Sequence, residues 1–360
     1  MSQPFSPRLE IHPQRIAENA RQVVNLCHTN NIQVAGVGKV VCAHPGVIRA
    51  LEQSGVDMLA DSRLENLALI RQNDTHLPLM LLRGPTPSRA VETVQLADIS
   101  LSSDAATAKR LSEAALALDK THKVILMIDL GDLREGVWPD QAEVVLRGML
   151  SLPNLEVLGL GANLACYGGV IPTAENMQQL VNLRNELEKN LAVPLPVLCG
   201  GNSANLPLLL AGGMPSEINM LRIGETILLG RNVLDRSPFP GTRQDTFHIA
   251  AEIIELERKP SVPIGLRGQD AFGGEPEFLD RGIRRRAICN IGRQDVKISN
   301  LTPVDPGIII LGGSSDHLLL DVQDAEQRYN TGDVVHFLPG YAALLAASTS
   351  PYVKKVVVNE

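Results

Sequence analysis

Aromatic side chains are scarce, at 3% of the 360 residues, and the net charge is -7. A protein that binds nucleic acid needs stacking platforms and a basic face, so both shortages exclude that partner and leave a small ligand. No apolar run approaches membrane-spanning length. Met1-Ser2-Gln3-Pro4-Phe5 lacks the basic start and apolar core of a signal peptide. A cytoplasmic protein with no membrane partner is expected. The cysteines Cys27, Cys42, Cys166, Cys199 and Cys289 are odd in number and scattered singly, with no C-x-x-C spacing. That disfavours a disulfide framework and a structural zinc site, and buried free thiols are expected. No H-E-x-x-H or clustered ligand pattern suggests a metal.

What the chain does have is a rhythm. After a short strand and an amphipathic helix between Arg8 and Cys27, apolar or β-branched runs alternate with helical periods. The runs begin with Ile32 to Val37, Val56 to Ala60, Leu77 to Leu82 and Asp98 to Leu101. They continue with His122 to Asp129, Leu155 to Asn163, Pro196 to Cys199 and Ile218 to Ile223. Eight strand-helix units in about 200 residues predict an α/β fold, an eight-fold β/α barrel, with a doubly wound open sheet as the competitor. Pro238-Phe239-Pro240-Gly241-Thr242 ends the alternation. Beyond it, strand-like runs separated by turns such as Asp305-Pro306-Gly307 predict an all-β domain. The expected division is a barrel over 1–240, including the N-terminal strand and helix, and a β domain over 241–360.

In such barrels the chemistry sits where strands end at their carboxyl side. Strand one runs through Gly36-Val37-Gly38 to Lys39, and strand five into Asp129 to Gly136, which brings Arg134 to the mouth. Strand six ends at Asn163, strand seven at Gly200-Gly201-Asn202-Ser203, and strand eight at Arg222-Ile223-Gly224-Glu225. Glycines followed by Asn202 and Ser203 before a helix offer N–H groups and a hydroxyl to a phosphate; the bland reading is an ordinary N-cap. With Gly224 at the next strand end the phosphate reading gains. A lysine, an arginine and a phosphate nest at one mouth describe a site for pyridoxal 5′-phosphate held as a lysine Schiff base. Other motifs carry less. Gly159-Leu160-Gly161 follows the wrong strand for a dinucleotide fingerprint, Asp316-His317 reads as a satisfied strand histidine, and Arg284-Arg285-Arg286 as a solvated edge or an interface.

These blocks, in this order, resemble the fold type III pyridoxal-phosphate enzymes, and within them the bacterial racemases of ornithine and other basic amino acids. The likeness covers essentially the whole chain, from Gly36 to Cys42 and Asp61 to Asn66 through Leu221 to Gly230 and on to Tyr341 to Val353. It implies that Lys39 is the Schiff-base lysine and one of two racemising bases. Asn163 stands where alanine racemases keep a histidine over the ring, and Asn202 lies in the same phosphate turn as Ser203. Ser203, Gly224, Glu225 and Tyr341 match phosphate contacts, and Arg134 an arginine that helps hold the substrate carboxylate. Arg222 matches the racemases' arginine against the pyridine nitrogen, where related decarboxylases place a carboxylate. Because arginine does not give up its proton, the ring nitrogen stays unprotonated.

The chain also departs from the alanine racemase pattern. Met127 replaces a lysine, Ala43 a tyrosine, and Phe272 stands in the region that best aligns with the tyrosine base of the opposite face. The second base is left among Asp270, Ser314 and Ser315, and a distal substrate amine among Asp270, Asp295 and Asp316. The resemblance implies an amino-acid racemase working as a head-to-tail homodimer. The rivals are a decarboxylase on the same fold and a non-catalytic cofactor carrier.

Overall fold

The computed structural model describes residues 6–358; Met1–Phe5, read above for a signal peptide, lie outside them. Pro13–Gln244 form one compact unit, and the described residues on either side of that span form a second. After β1 (Arg8–Ile11) come β2 (Gln33–Val37), β3 (Met58–Asp61), β4 (Leu79–Leu81), β5 (Ile99–Ser102), β6 (His122–Ile128), β7 (Leu155–Ala162), β8 (Val197–Asn202) and β9 (Met220–Ile223). β2 to β9 are paired in parallel and close into a barrel, each strand overlapping one of the eight predicted runs.

Two buried layers explain why these short runs become strands. Ala35, Met58, Met80, Ile125, Met127, Cys199 and Met220 fill the barrel interior. Gly161 makes room for them, since a Cβ there would sit 3.1 Å from both Ile125 Cγ2 and Met127 Sδ. Residues alternating with these face the helices, where Leu126, Ile128, Leu160 and Leu198 pack against Leu111, Leu146 and Leu180. Strands buried on both faces read as near-continuous apolar runs, which is the pattern seen in the sequence. Met127 is therefore a core residue of the barrel, 1% exposed.

The second unit holds β10 (Phe247–Pro260), β11 (Ile283–Cys289), β12 (Leu301–Pro303), β13 (Ile309–Gly313), β14 (Leu318–Asp321), β15 (Val334–Pro339) and β16 (Lys354–Val357). Its main path runs β12-β15-β10-β11-β14-β13. β1 joins this unit, contrary to the expectation that it leads into the barrel: Glu10 pairs with His248 of β10 and Leu9 with Lys355 of β16. The barrel unit thus begins at Pro13 and ends at Gln244, not at 240. A helix, Tyr341–Thr349, interrupts the strands. The arginine run lies on β11, between β10 and β14, and is engaged: Arg284 pairs with Asp321 at 2.7 Å and Arg285 donates to the Tyr329 carbonyl at 2.7 Å. It is not a solvated edge.

Candidate functional site

β2 stops at Val37, and a single 3₁₀ turn, Lys39–Val41, presents the lysine at the carboxyl end of the barrel. The Gly38 N–H donates to the Ala60 carbonyl at 3.1 Å, and a Cβ at Gly38 would lie 2.8 Å from Ile48 Cδ1. A side chain at residue 38 would force the Ile48 methyl to shift, so glycine lets the turn pack closely here. Lys39 is open to solvent at the mouth yet ringed by barrel atoms. That desolvation and the Arg134 guanidinium push its amine below the usual lysine range, Cys166 and Asp61 oppose them, and Arg222 adds to the lowering.

Arg222 on β9 is 5% exposed and spans the wall beneath the mouth. Its Nη1 donates to Cys199 Sγ at 2.7 Å, and its Nη2 to the Ala162 carbonyl at 2.9 Å and to Asn163 Oδ1 at 3.3 Å. Asn202 Nδ2 donates to the same Asn163 oxygen at 3.1 Å and to the Leu164 carbonyl at 2.8 Å. With its oxygen fixed by two donors, Asn163 turns its buried Nδ2 toward a place where no protein atom accepts from it.

At the end of β8, Gly201 has φ +142°, and a Cβ there would lie 2.4 Å from Asn205 Oδ1, so glycine is needed for close approach. Asn205 Oδ1 accepts from the Asn202 N–H at 3.1 Å, and Asn202 Oδ1 caps the Ala204 N–H at 2.8 Å. Ser203 Oγ accepts from the Gly224 and Thr226 N–H groups, both at 3.3 Å. The β8 and β9 turns are thereby tied together, and the hydroxyl keeps its proton to donate. The Glu225 carboxyl is raised by burial and paired with Arg236.

Arg134 pairs with Glu135 and donates to Cys166 Sγ at 2.8 Å. The loops carrying it are held by two buried aspartates. Asp129 accepts from Gly131 and Leu133, and Asp132 from Cys166, Tyr167 and Val170, the Tyr167 N–H at 2.9 Å. Cys166 is exposed and Cys42 partly so, against the expectation of five buried thiols; Cys27, Cys199 and Cys289 are buried. Sequence reasoning missed Cys166 because a lone cysteine has no local signature. It named Asp61 only within the resembling block Asp61 to Asn66 and gave it no role, since an aspartate before a helix looks like a cap. Asp61 is fully buried, and its Oδ1 accepts from the Arg63 N–H at 3.0 Å and Asn66 Nδ2 at 2.9 Å.

The remaining candidates lie in the second unit. Asp270 accepts the Phe272 and Gly274 N–H groups at 2.9 and 2.8 Å and faces Arg293 at 3.6 Å. Those backbone donors hold its carboxyl below the usual range, the state of a turn former and not of a base poised near neutrality. Ser315 donates to Asp316 at 3.1 Å, Asp316 pairs with Gln294, and Ser314 meets His317 Nδ1 at 3.3 Å. Asp295 is 4% exposed and accepts from Ser350 at 2.7 Å, so its carboxylate is committed within the unit. Tyr341 opens the helix Tyr341–Thr349, whose next N–H, that of Ala342, is capped by Asn300 at 2.9 Å.

A closed β/α barrel with a lysine, an arginine and an amide converging at its carboxyl end defines a class, and the family model described as "Alanine racemase, N-terminal domain" matches residues 11–232. The chain belongs to that family. It is 41% identical to an ornithine racemase of Acetoanaerobium sticklandii, over 97% of this chain and 99% of that one. It is 42% identical to a lysine racemase of Thermotoga maritima, over 97% and 98%. Among solved structures, the alanine racemase of Bartonella henselae with covalently bound pyridoxal phosphate superposes with a TM-score of 0.74 at 17% identity, over 99% of this chain and 100% of that one. No helix among the described residues is long and apolar enough to cross a membrane.

Proposed function

We propose that this protein is a pyridoxal-phosphate-dependent racemase of a basic amino acid, ornithine or lysine, interconverting the L and D forms. The observation that carries the reading is likeness along nearly the full length to two racemases of such substrates. The barrel mouth fits the cofactor. Asn163 has a buried amide donor that no protein atom receives, Ser203 has a hydroxyl proton to give, and Lys39 has an amine whose proton is loosened by its surroundings. When bound, pyridoxal 5′-phosphate supplies the electron sink that makes a Cα proton removable.

The chain's own residues do the rest. Lys39 carries the cofactor in the resting enzyme and, once substrate has displaced it, takes and returns the Cα proton on one face. The Ser203 hydroxyl and the Glu225 N–H hold the phosphate, and the Gly224 N–H braces Ser203; Asn202 orients Asn163, and Asn163 supports the ring. Arg222 cannot donate a full proton to the ring nitrogen, so deprotonation at Cα stays brief and side reactions are limited. Arg134 orients the substrate carboxylate. Ser315 is the candidate for the opposite face and Asp316 for the distal amine, and a head-to-tail homodimer and cytoplasmic location complete the reading.

Incubating the holoenzyme with a panel of L-amino acids in deuterated water tests this. The expected result is D-ornithine or D-lysine carrying deuterium at Cα. Carbon dioxide release, or bound cofactor with every amino acid optically unchanged, rejects it.

A further inference from the structure

Lys39 sits among charges of both signs. Arg134 and Arg222 face it as cations, and Asp61, Cys166 and Glu225 as acids. Two of the three acids are already engaged. Glu225 is paired with Arg236, and Cys166 accepts from Arg134. Asp61 differs: it is fully buried at the end of β3, and its Oδ2 has no hydrogen-bond partner. A buried carboxylate oxygen left bare is costly, and native structures retain one chiefly where something completes it.

The geometry says what that something is. β2 and β3 pair in register, Val37 beside Ala60, so the residues just past each strand end are neighbours. A Cβ built on Gly38 would lie 3.9 Å from Asp61 Oδ2. The free oxygen therefore lies against the backbone that delivers Lys39. Its partner oxygen is pinned by the Arg63 N–H and by Asn66, so Oδ2 is held in place.

We propose that Asp61 is a positioning residue for Lys39, its bare Oδ2 receiving the lysine ammonium each time the amine takes up a proton. The inference rests on the proposed racemase reading. When Lys39 removes a proton from Cα, a third cation joins those of Arg134 and Arg222. One buried negative charge beside it offsets that repulsion, and without it the amine is a weaker base. Burial raises the Asp61 carboxyl to about 6, against the lowering by Asn66, by the Arg63 and Ser62 N–H groups and by Lys39. The charge is thus present at neutral pH and fades in mild acid.

The test uses Asp61→Asn, which keeps the Oδ1 acceptor and removes the charge. In cofactor-stripped protein, competitive acetylation across pH, read by mass spectrometry of the Lys39 peptide, gives the midpoint of that one amine. The midpoint is expected to fall by about one unit, roughly tenfold in proton affinity, and Asp61→Glu to recover part of the fall. In the holoenzyme, kcat is expected to fall about tenfold with little change in KM, and the acidic limb of kcat/KM to move to lower pH. An unchanged Lys39 midpoint in Asp61→Asn overturns the proposal.

If that variant does not fold, the reciprocal measurement decides. In Lys39→Ala the Asp61 carboxyl, followed by ¹³C NMR of aspartate-labelled protein, must titrate higher than in wild type, and no rise overturns the proposal equally. Because both titrations are made without cofactor, a shifted midpoint in a protein that racemises nothing rejects only the functional reading. An unshifted one in an active racemase rejects only the role of Asp61.

Discussion

The Arg222 guanidinium and the Asn163 amide meet at 3.3 Å, and Asn202 reaches the same oxygen at 3.1 Å, so three strand ends converge on one acceptor. The consequence is directional. Because two donors fix Asn163 Oδ1, its Nδ2 has one orientation open to it, and there this buried donor meets none of the protein's own acceptors.

Replacing Arg222 by lysine should therefore cost more than a charge-conserving change suggests. Lysine offers a point charge in place of a planar fork, and cannot reach Cys199, the Ala162 carbonyl and Asn163 together. Arg222→Lys is expected to reduce racemisation at least tenfold and to lower stability by about 1–3 kcal/mol. Enantiomer analysis and urea unfolding are the measurements, and wild-type values in both would show that the network does not orient the site.

Asp132 links two loops through three backbone N–H groups while only 1% exposed. Asp132→Ala leaves those donors without their acceptor, and the expected loss is about 3 kcal/mol. Amide hydrogen exchange should rise at Cys166, Tyr167 and Val170 well before it rises in the barrel strands. Uniform acceleration across the unit would instead mean that the residue contributes only to global stability.

The barrel was legible because its strands are short, buried on both faces and separated by helices, so composition and period agree locally. All eight runs became strands, and the strand ends named from sequence brought Lys39, Asn163, Ser203, Arg222 and Gly224 to one unit. What local patterns did not carry was long-range partnership. Nothing in Arg8–Ile11 tells the chain to pair with residues 247–250 and 354–357. The helix Tyr341–Thr349 escaped because its alanines and leucines are apolar on all sides and show no 3.6-residue period. Asp61 illustrates the same limit at the site: before a helix it looks like a cap, and only the fold reveals that one of its oxygens is bare.

Acid should weaken the two units in different pH windows. In the barrel, His122 is 2% exposed, meets Ser100 Oγ at 2.9 Å, and is pushed down to about 4 by burial. Its folded value lies below the ordinary 6.5, so its contribution is full above 6.5 and is lost as pH falls toward 4. In the second unit, burial pushes the Glu10 carboxyl up. The hydrogen bonds and charges of His336 and Arg8 outweigh that and bring it down to about 2. Its contribution is full above 4.5 and is lost as pH falls toward 2. Each shift corresponds to a stability change on the order of 3 kcal/mol. His122→Gln should therefore flatten the pH dependence of stability between 6.5 and 4, and Glu10→Gln only that below 4.5. Chemical denaturation repeated across pH, with hydrogen exchange to separate the units, checks both. If Glu10→Gln instead flattened the upper window, the acid sensitivity would have to be reassigned from the barrel histidine to the β-sheet carboxylate.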